Sequence, residues 1–160
     1  MVLVAPLHMR ISLDLNIAAI GIISSFFHIS RAFGSVVGDA ISDSYGRKKS
    51  LTLFIGASTI LAPFFILSTS FETMGVIYAA FGFLLGGYHS ITSAVFMDIS
   101  QKETCATHYS TFASILIMGR LIGEIFAGSL IITMGFSKIF LLTGWFSILT
   151  ILILYLSKIK

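Results

Sequence analysis

Ser24, His28, Arg31, Ser35 and Asp39 recur at spacings of four, three, four and four inside an otherwise apolar run. At about 100° per residue they share one narrow face of a helix. Tyr78, Gly82, Gly86, His89 and Ser93 form a second such stripe, and Tyr109, Ala113, Arg120, Glu124 and Ala127 a third. A charge in mid-bilayer costs about 2.5–3.5 kcal/mol on insertion scales, so such residues face a bundle interior or a watery cavity. His28, Arg31, His89, Arg120 and Glu124 are therefore the candidates for lining a solute path. Each has a plainer alternative. Arg120 and Glu124 are one turn apart and could pair with each other, and the two histidines could be hydrogen-bonded packing residues. Arg31 has no acid one turn away on its own helix. Two buried arginines favour an anionic solute, because the guanidinium is a fixed donor fork for carboxylate or phosphate. Catalytic chemistry has no comparable signal. The chain has no paired acids and no Cys/His or Ser/His/Asp arrangement at catalytic spacing. It has one cysteine, Cys105, and no metal-ligand cluster, so neither enzyme activity nor a cofactor is expected.

These stripes need long apolar helices to carry them. Hydrophobic residues make up 56% of the chain and charged residues 11%, and the mean hydropathy is +0.99. A soluble domain carries roughly 25% charged residues, so this chain cannot cover its surface with polar groups and must meet lipid. Basic residues neither line one exposed helix nor alternate with aromatics, which argues against nucleic acid. Runs of roughly 20 apolar residues predict an all-α integral membrane protein with five transmembrane helices in a single domain, at 16–39, 50–67, 74–97, 107–133 and 139–157. Residues 1–9 are apolar, too short to span, and lack the charged start of a secretory signal. They read as the remnant of a preceding helix. By a rise of about 1.5 Å per residue, Arg31, His89 and Arg120 share a central slab, with Glu124 nearer the outside. Secondary transporters bind their solutes at that depth.

The connections carry the orientation. With the Arg47 loop in the cytoplasm, that side collects Arg47, Lys48, Lys49, Lys102, Lys158 and Lys160, and the other keeps Arg10 and Lys138. This follows the positive-inside rule and makes the carboxyl terminus cytoplasmic. Gly34-x-x-x-Gly38, Gly82-x-x-x-Gly86 and Gly119-x-x-x-Gly123 each put two glycines on one face, where helix backbones can approach closely. Pro63 removes a backbone donor within the second helix and bends it.

The loop between the first two helices is the most specific motif. Asp43, Gly46, Arg47, Lys48 and Lys49 fall in register with a signature of roughly G-x-x-x-D-R-x-G-R-K-K. This resembles the cytoplasmic loop of the major facilitator superfamily. Asp39 stands in the leading glycine slot and Ser44 in the usual arginine slot. The resemblance implies that Asp43 and Arg47 form a charge relay stabilising one face of an alternating-access cycle, with Gly46 making the turn. A second segment runs from Cys105-Ala106-Thr107-His108-Tyr109-Ser110 through Gly119-Arg120 to Ala127-Gly128, with Gly135-Phe136 beyond. It is similar to the eleventh helix of the branch containing the bacterial muropeptide permeases and acetyl-coenzyme A transporters.

Together the resemblances imply an incomplete six-helix half-bundle of a major facilitator, preferably the carboxyl half, with helices two to six of the amino half as the runner-up. A complete facilitator needs two halves that rock about a central site, and 160 residues hold only one. The chain is thus expected to be a truncated product, one half of a split transporter, or a unit that joins a second copy. The function implied is transport of a small, anionic solute by a plasma-membrane protein. The alternative is a non-transporting membrane protein acting only through helix–helix association, with its arginines paired internally and no midplane cavity.

Overall fold

A computed structural model describes residues 2–100 and 102–156. Among them the order is α1 (Val4–Ile11), α2 (Ile17–Tyr45), α3 (Arg47–Leu61), α4 (Phe64–Leu67), α5 (Phe71–Ile99), a single 3-10 turn (Lys102–Thr104) and α6 (Cys105–Leu156). The described residues contain no strand. Four stretches are long and apolar enough to cross a bilayer: Ile17–Tyr45, Arg47–Leu67, Phe71–Ile99 and Cys105–Leu156.

Local chemistry sets the boundaries. Asn16 caps α2, its side chain accepting a hydrogen bond from the Ala19 N–H at 2.8 Å. Ser70 and Thr73 form a reciprocal capping box at the start of α5. α2 runs six residues past the expected end at 39, because nothing between Ala40 and Tyr45 breaks a helix. Gly46, at φ 89°, makes the whole turn, and α3 starts at Arg47 rather than at 50. That φ is one only glycine adopts readily. Pro63 divides the second expected helix into α3 and α4.

The expected fourth and fifth helices are continuous in α6, except at Gly135 (φ 76°). Fifty-two residues would reach about 78 Å if straight, far beyond a hydrocarbon core of about 30 Å. Instead the two limbs, 105–134 and 136–156, face each other across an apolar cavity of about 320 Å³. Phe126 and Leu130 line it from one limb, and Leu142 and Phe146 from the other. The expected helix end at 157, and Lys158 and Lys160 beyond it, lie outside the described residues.

The central feature is the α2–α5 pair. Ideal Cβ atoms at Gly34 and Gly38 would run into the backbone of Phe83 and Gly87, and at Gly82 and Gly86 into the carbonyls of Phe27 and Arg31. These glycines therefore let the two backbones touch. The third expected pair does not act this way. Gly119 and Gly123 have nothing within 4 Å of an added Cβ, and Gly123 instead borders the cavity between the two limbs of α6. Two apolar clusters flank the crossing. One gathers Met9, Phe27, Phe65, Tyr78 and Phe140, and the other Leu51, Phe54, Ile91, Val95 and Leu154. His8 ties α1 to α6 by packing its ring against Phe136 and Phe140, at centroid distances of 5.0 and 5.4 Å.

Candidate functional site

The glycine crossing positions the polar stripes. Gly86 lies against the Arg31 carbonyl, so the Arg31 side chain emerges beside His89, less than one turn further along α5. Arg31, His28 and Ser35 from α2 and His89, Ser90 and Ser93 from α5 line an open groove of about 440 Å³. A second cavity, of about 260 Å³, lies between α5 and the first limb of α6. Arg31, His89 and Ser93 line this one too, joined by Phe96, Tyr109 and Arg120. The two spaces thus share one polar wall, with a guanidinium reaching it from each side.

Within the site, the partners differ. Arg31 is half-buried and has no ion-pair or hydrogen-bond partner among the described residues. The Arg120 Nε lies 3.9 Å from Glu124 Oε1, an ion pair too long to be a hydrogen bond. Glu124 itself lines neither space. His28 is exposed, its ring set edge-on to Phe27 at 5.0 Å. The His89 ring packs against Tyr88 at 5.5 Å. The Tyr109 hydroxyl donates to Ser93 Oγ at 3.4 Å, linking α6 to α5. Ser90 Oγ sits between the Ser35 carbonyl, at 3.1 Å, and the Asp39 carboxylate. Sequence spacing had passed over Ser90, which is one residue off the α5 stripe.

A second cluster forms at the Gly46 turn. Arg47 donates from Nη1 to Asp43 and to Ser42 Oγ, both at 2.8 Å, and from Nε to Asp98 at 3.0 Å. One guanidinium thereby binds the ends of α2 and α5 to the start of α3. Asp98 was not among the expected site residues. Its only legible signal is that it is an acid near a helix end with no base on its own helix. Lys48 donates to the Tyr155 carbonyl at 2.9 Å and lies 5.7 Å from the centre of that ring, fastening α3 to the second limb of α6. Lys49 is exposed. No group of three or more His, Cys, Asp or Glu among the described residues could hold a metal ion.

Comparison with known proteins places this architecture. No solved structure matches the chain. The sequence is similar to that of a Bacillus subtilis (strain 168) protein named "Putative metabolite transport protein YfiG", with 30% identity over 127 residues. The match covers 77% of this chain and 26% of that protein, so the chain spans about a quarter of its relative's length. The profile of the Major Facilitator Superfamily matches residues 1–159. With its all-α, lipid-facing helices and partial bundle, the chain belongs to the Major Facilitator Superfamily.

Proposed function

We propose that this chain forms one wall of a secondary transporter that moves a small anionic solute by alternating access. The observation that carries the reading is the convergence of Arg31, from α2, and Arg120, from α6, on a single cavity beside His89. Two guanidiniums at one polar surface are costly within a bilayer, and an anion that accepts from both offsets that cost. The groove between α2 and α5 is open, and most of the first limb of α6 is exposed. In this reading another wall covers both, either an amino-terminal six-helix half or a second copy. The likeness of residues 105–128 to an eleventh helix supports the carboxyl-half placement. Arg47, Asp43 and Asp98 act as a latch on the cytoplasmic face of a plasma-membrane protein, closed when α5 meets the Gly46 turn and opened when it swings away.

Cysteine accessibility in proteoliposomes tests this. In a Cys105→Ala background, Ser93→Cys and Ala113→Cys place thiols in the cavities, and Ile60→Cys and Ile153→Cys place them on exposed apolar faces. The thiolate is the nucleophile, and a thiol in hydrocarbon stays protonated. The cavity positions should react with a charged thiosulfonate roughly tenfold faster or more. Equal, slow reaction at all four positions would mean that no watery path reaches Arg31, and the transport reading would fall.

A further inference from the structure

The Nδ1 and Nε2 atoms of His8 are the buried side-chain polar atoms left without a hydrogen-bond partner among the described residues. The ring stands instead against Phe136 and Phe140, just past the Gly135 break in α6. We infer that His8 is a proton-operated latch, whose protonation drives the ring out of this aromatic slot and frees α1 from the bend of α6. Neutral imidazole carries one donor and one acceptor, and burying both unpaired is costly. A phenyl face takes up an N–H only weakly. The ring is therefore held by packing and not by bonds of its own. Protonation tips that balance. The imidazolium has two donors and a full charge, and two phenyl faces return less to a cation than the water it gives up.

No charged group offsets the loss. On α1, Arg10 is exposed and paired with Asp14 at 3.2 Å. On α5, Glu72 is exposed and accepts from Ser70, and the Tyr78 hydroxyl donates to the Val2 carbonyl. On α6, Lys138 is exposed and Glu124 lies against Arg120. α2 brings no ionisable side chain to this end, its first being His28. α1 lies outside the four spanning stretches, and burial alone pulls the His8 imidazole below its ordinary value. A released ring returns to about 6.5. The latch is thus complete above that value and weakens as pH falls below it, until the locked ring is itself protonated. Release also has a direction. Arg10 Nη1 donates to the Leu15 carbonyl at 3.2 Å, and the Leu15 N–H to the Met9 carbonyl at 3.1 Å, so α1 stays fastened to the start of α2. It parts from α6. With eight residues, α1 is too short to hold its form once that packing loosens.

The test uses the whole chain in lipid nanodiscs, in a Cys105→Ala background, with spin labels at Ile11→Cys and Ile153→Cys. Both positions are exposed. One distance population should be present above neutral pH. Below about 6.5 a second should grow by up to tenfold for each unit of pH. Ring NMR, with His8→Phe to assign the signal, should show His8 taking up its proton over the same range. His8→Phe fills the slot with a ring that cannot titrate, and should keep the first population at every pH. His8→Lys should show the second population already at neutral pH. If His8→Lys does not fold, the other two measurements still decide. Growth of the second population in His8→Phe would assign the response to another group and overturn the latch. Protonation of His8 with no change in distance would mean that the rings hold the cation, which overturns it equally. A ring still neutral at about pH 5, with one population throughout, would make His8 a packing residue. Each of these failures leaves the transport reading standing, because the latch rests on none of the cavity residues.

Discussion

Arg47 shows how one side chain can hold three helix ends. Its two carboxylate bonds are nearly equal in length, 2.8 Å to Asp43 and 3.0 Å to Asp98, but they constrain different things. Asp43 is four residues away across the Gly46 turn, so that pair fixes a local geometry. Asp98 is 51 residues away and anchors the end of α5. Exposed pairs couple by about 0.2–1 kcal/mol. The guanidinium here is largely covered, 25% exposed, so the Arg47–Asp98 pair should lie near the top of that range in a double-mutant cycle. Asp98→Asn should broaden the distance distribution between spin labels at Ser44 and Ile99 more than Asp43→Asn does. An equal or opposite ranking would mean that α5 is held by packing alone. Asp43, Gly46 and Arg47 were legible in the sequence because a tight turn keeps its partners close together in the chain. Asp98 was not, since helical periodicity reports which residues share a face and says nothing of which helix that face will meet.

The same limit applies to whole elements. Three glycine pairs look alike in sequence, yet two are filled by neighbouring backbone and the third meets nothing. The difference lies in what crosses the face. α2 and α5 bring their glycine faces to one another, and the α6 pair borders open space, Gly123 at the cavity between the two limbs. Substitution should separate the cases. Alanine at Gly34 or Gly86 drives a methyl into a carbonyl and should destabilise the bundle by about 1–3 kcal/mol. Alanine at Gly119 or Gly123 should be neutral, or stabilising by up to about 1 kcal/mol through helix propensity. Thermal unfolding in detergent would read both, and loss of stability at Gly119 would show that the face is occupied after all. The breaks were legible to different degrees for related reasons. Pro63 and Gly135 act locally, whatever surrounds them. The extension of α2 to Tyr45 was hidden because Asp43 and Ser44 suggest a loop by composition, although nothing in them prevents a helix.

At the scale of the molecule, charge decides how the bundle sits in the membrane. The Gly46 turn puts Arg47, Lys48 and Lys49 at one end, and Arg10 lies beside Asp14 at the other, paired at 3.2 Å. Positive residues close to helix ends are retained on the cytoplasmic side, and neighbouring acids contribute little to that bias. Lys48 also donates to the Tyr155 carbonyl, so the α3 start and the far part of α6 share one membrane face. The end holding Asp14 should therefore be external and the Arg47 latch cytoplasmic. In a Cys105→Ala background, Asp14→Cys should be labelled by a membrane-impermeant maleimide in intact cells. Lys49→Cys should be labelled only after permeabilisation. Both residues are exposed, so a failure to label cannot come from burial in the bundle. Reversed labelling would put the latch outside, and the charge relay would then close the external mouth of the cavity rather than the cytoplasmic one. Labelling of both positions in intact cells would mean mixed insertion, with three clustered cations too few to fix the orientation. One consistent direction would establish which side of the membrane Arg31 and Arg120 face when α5 leaves the turn.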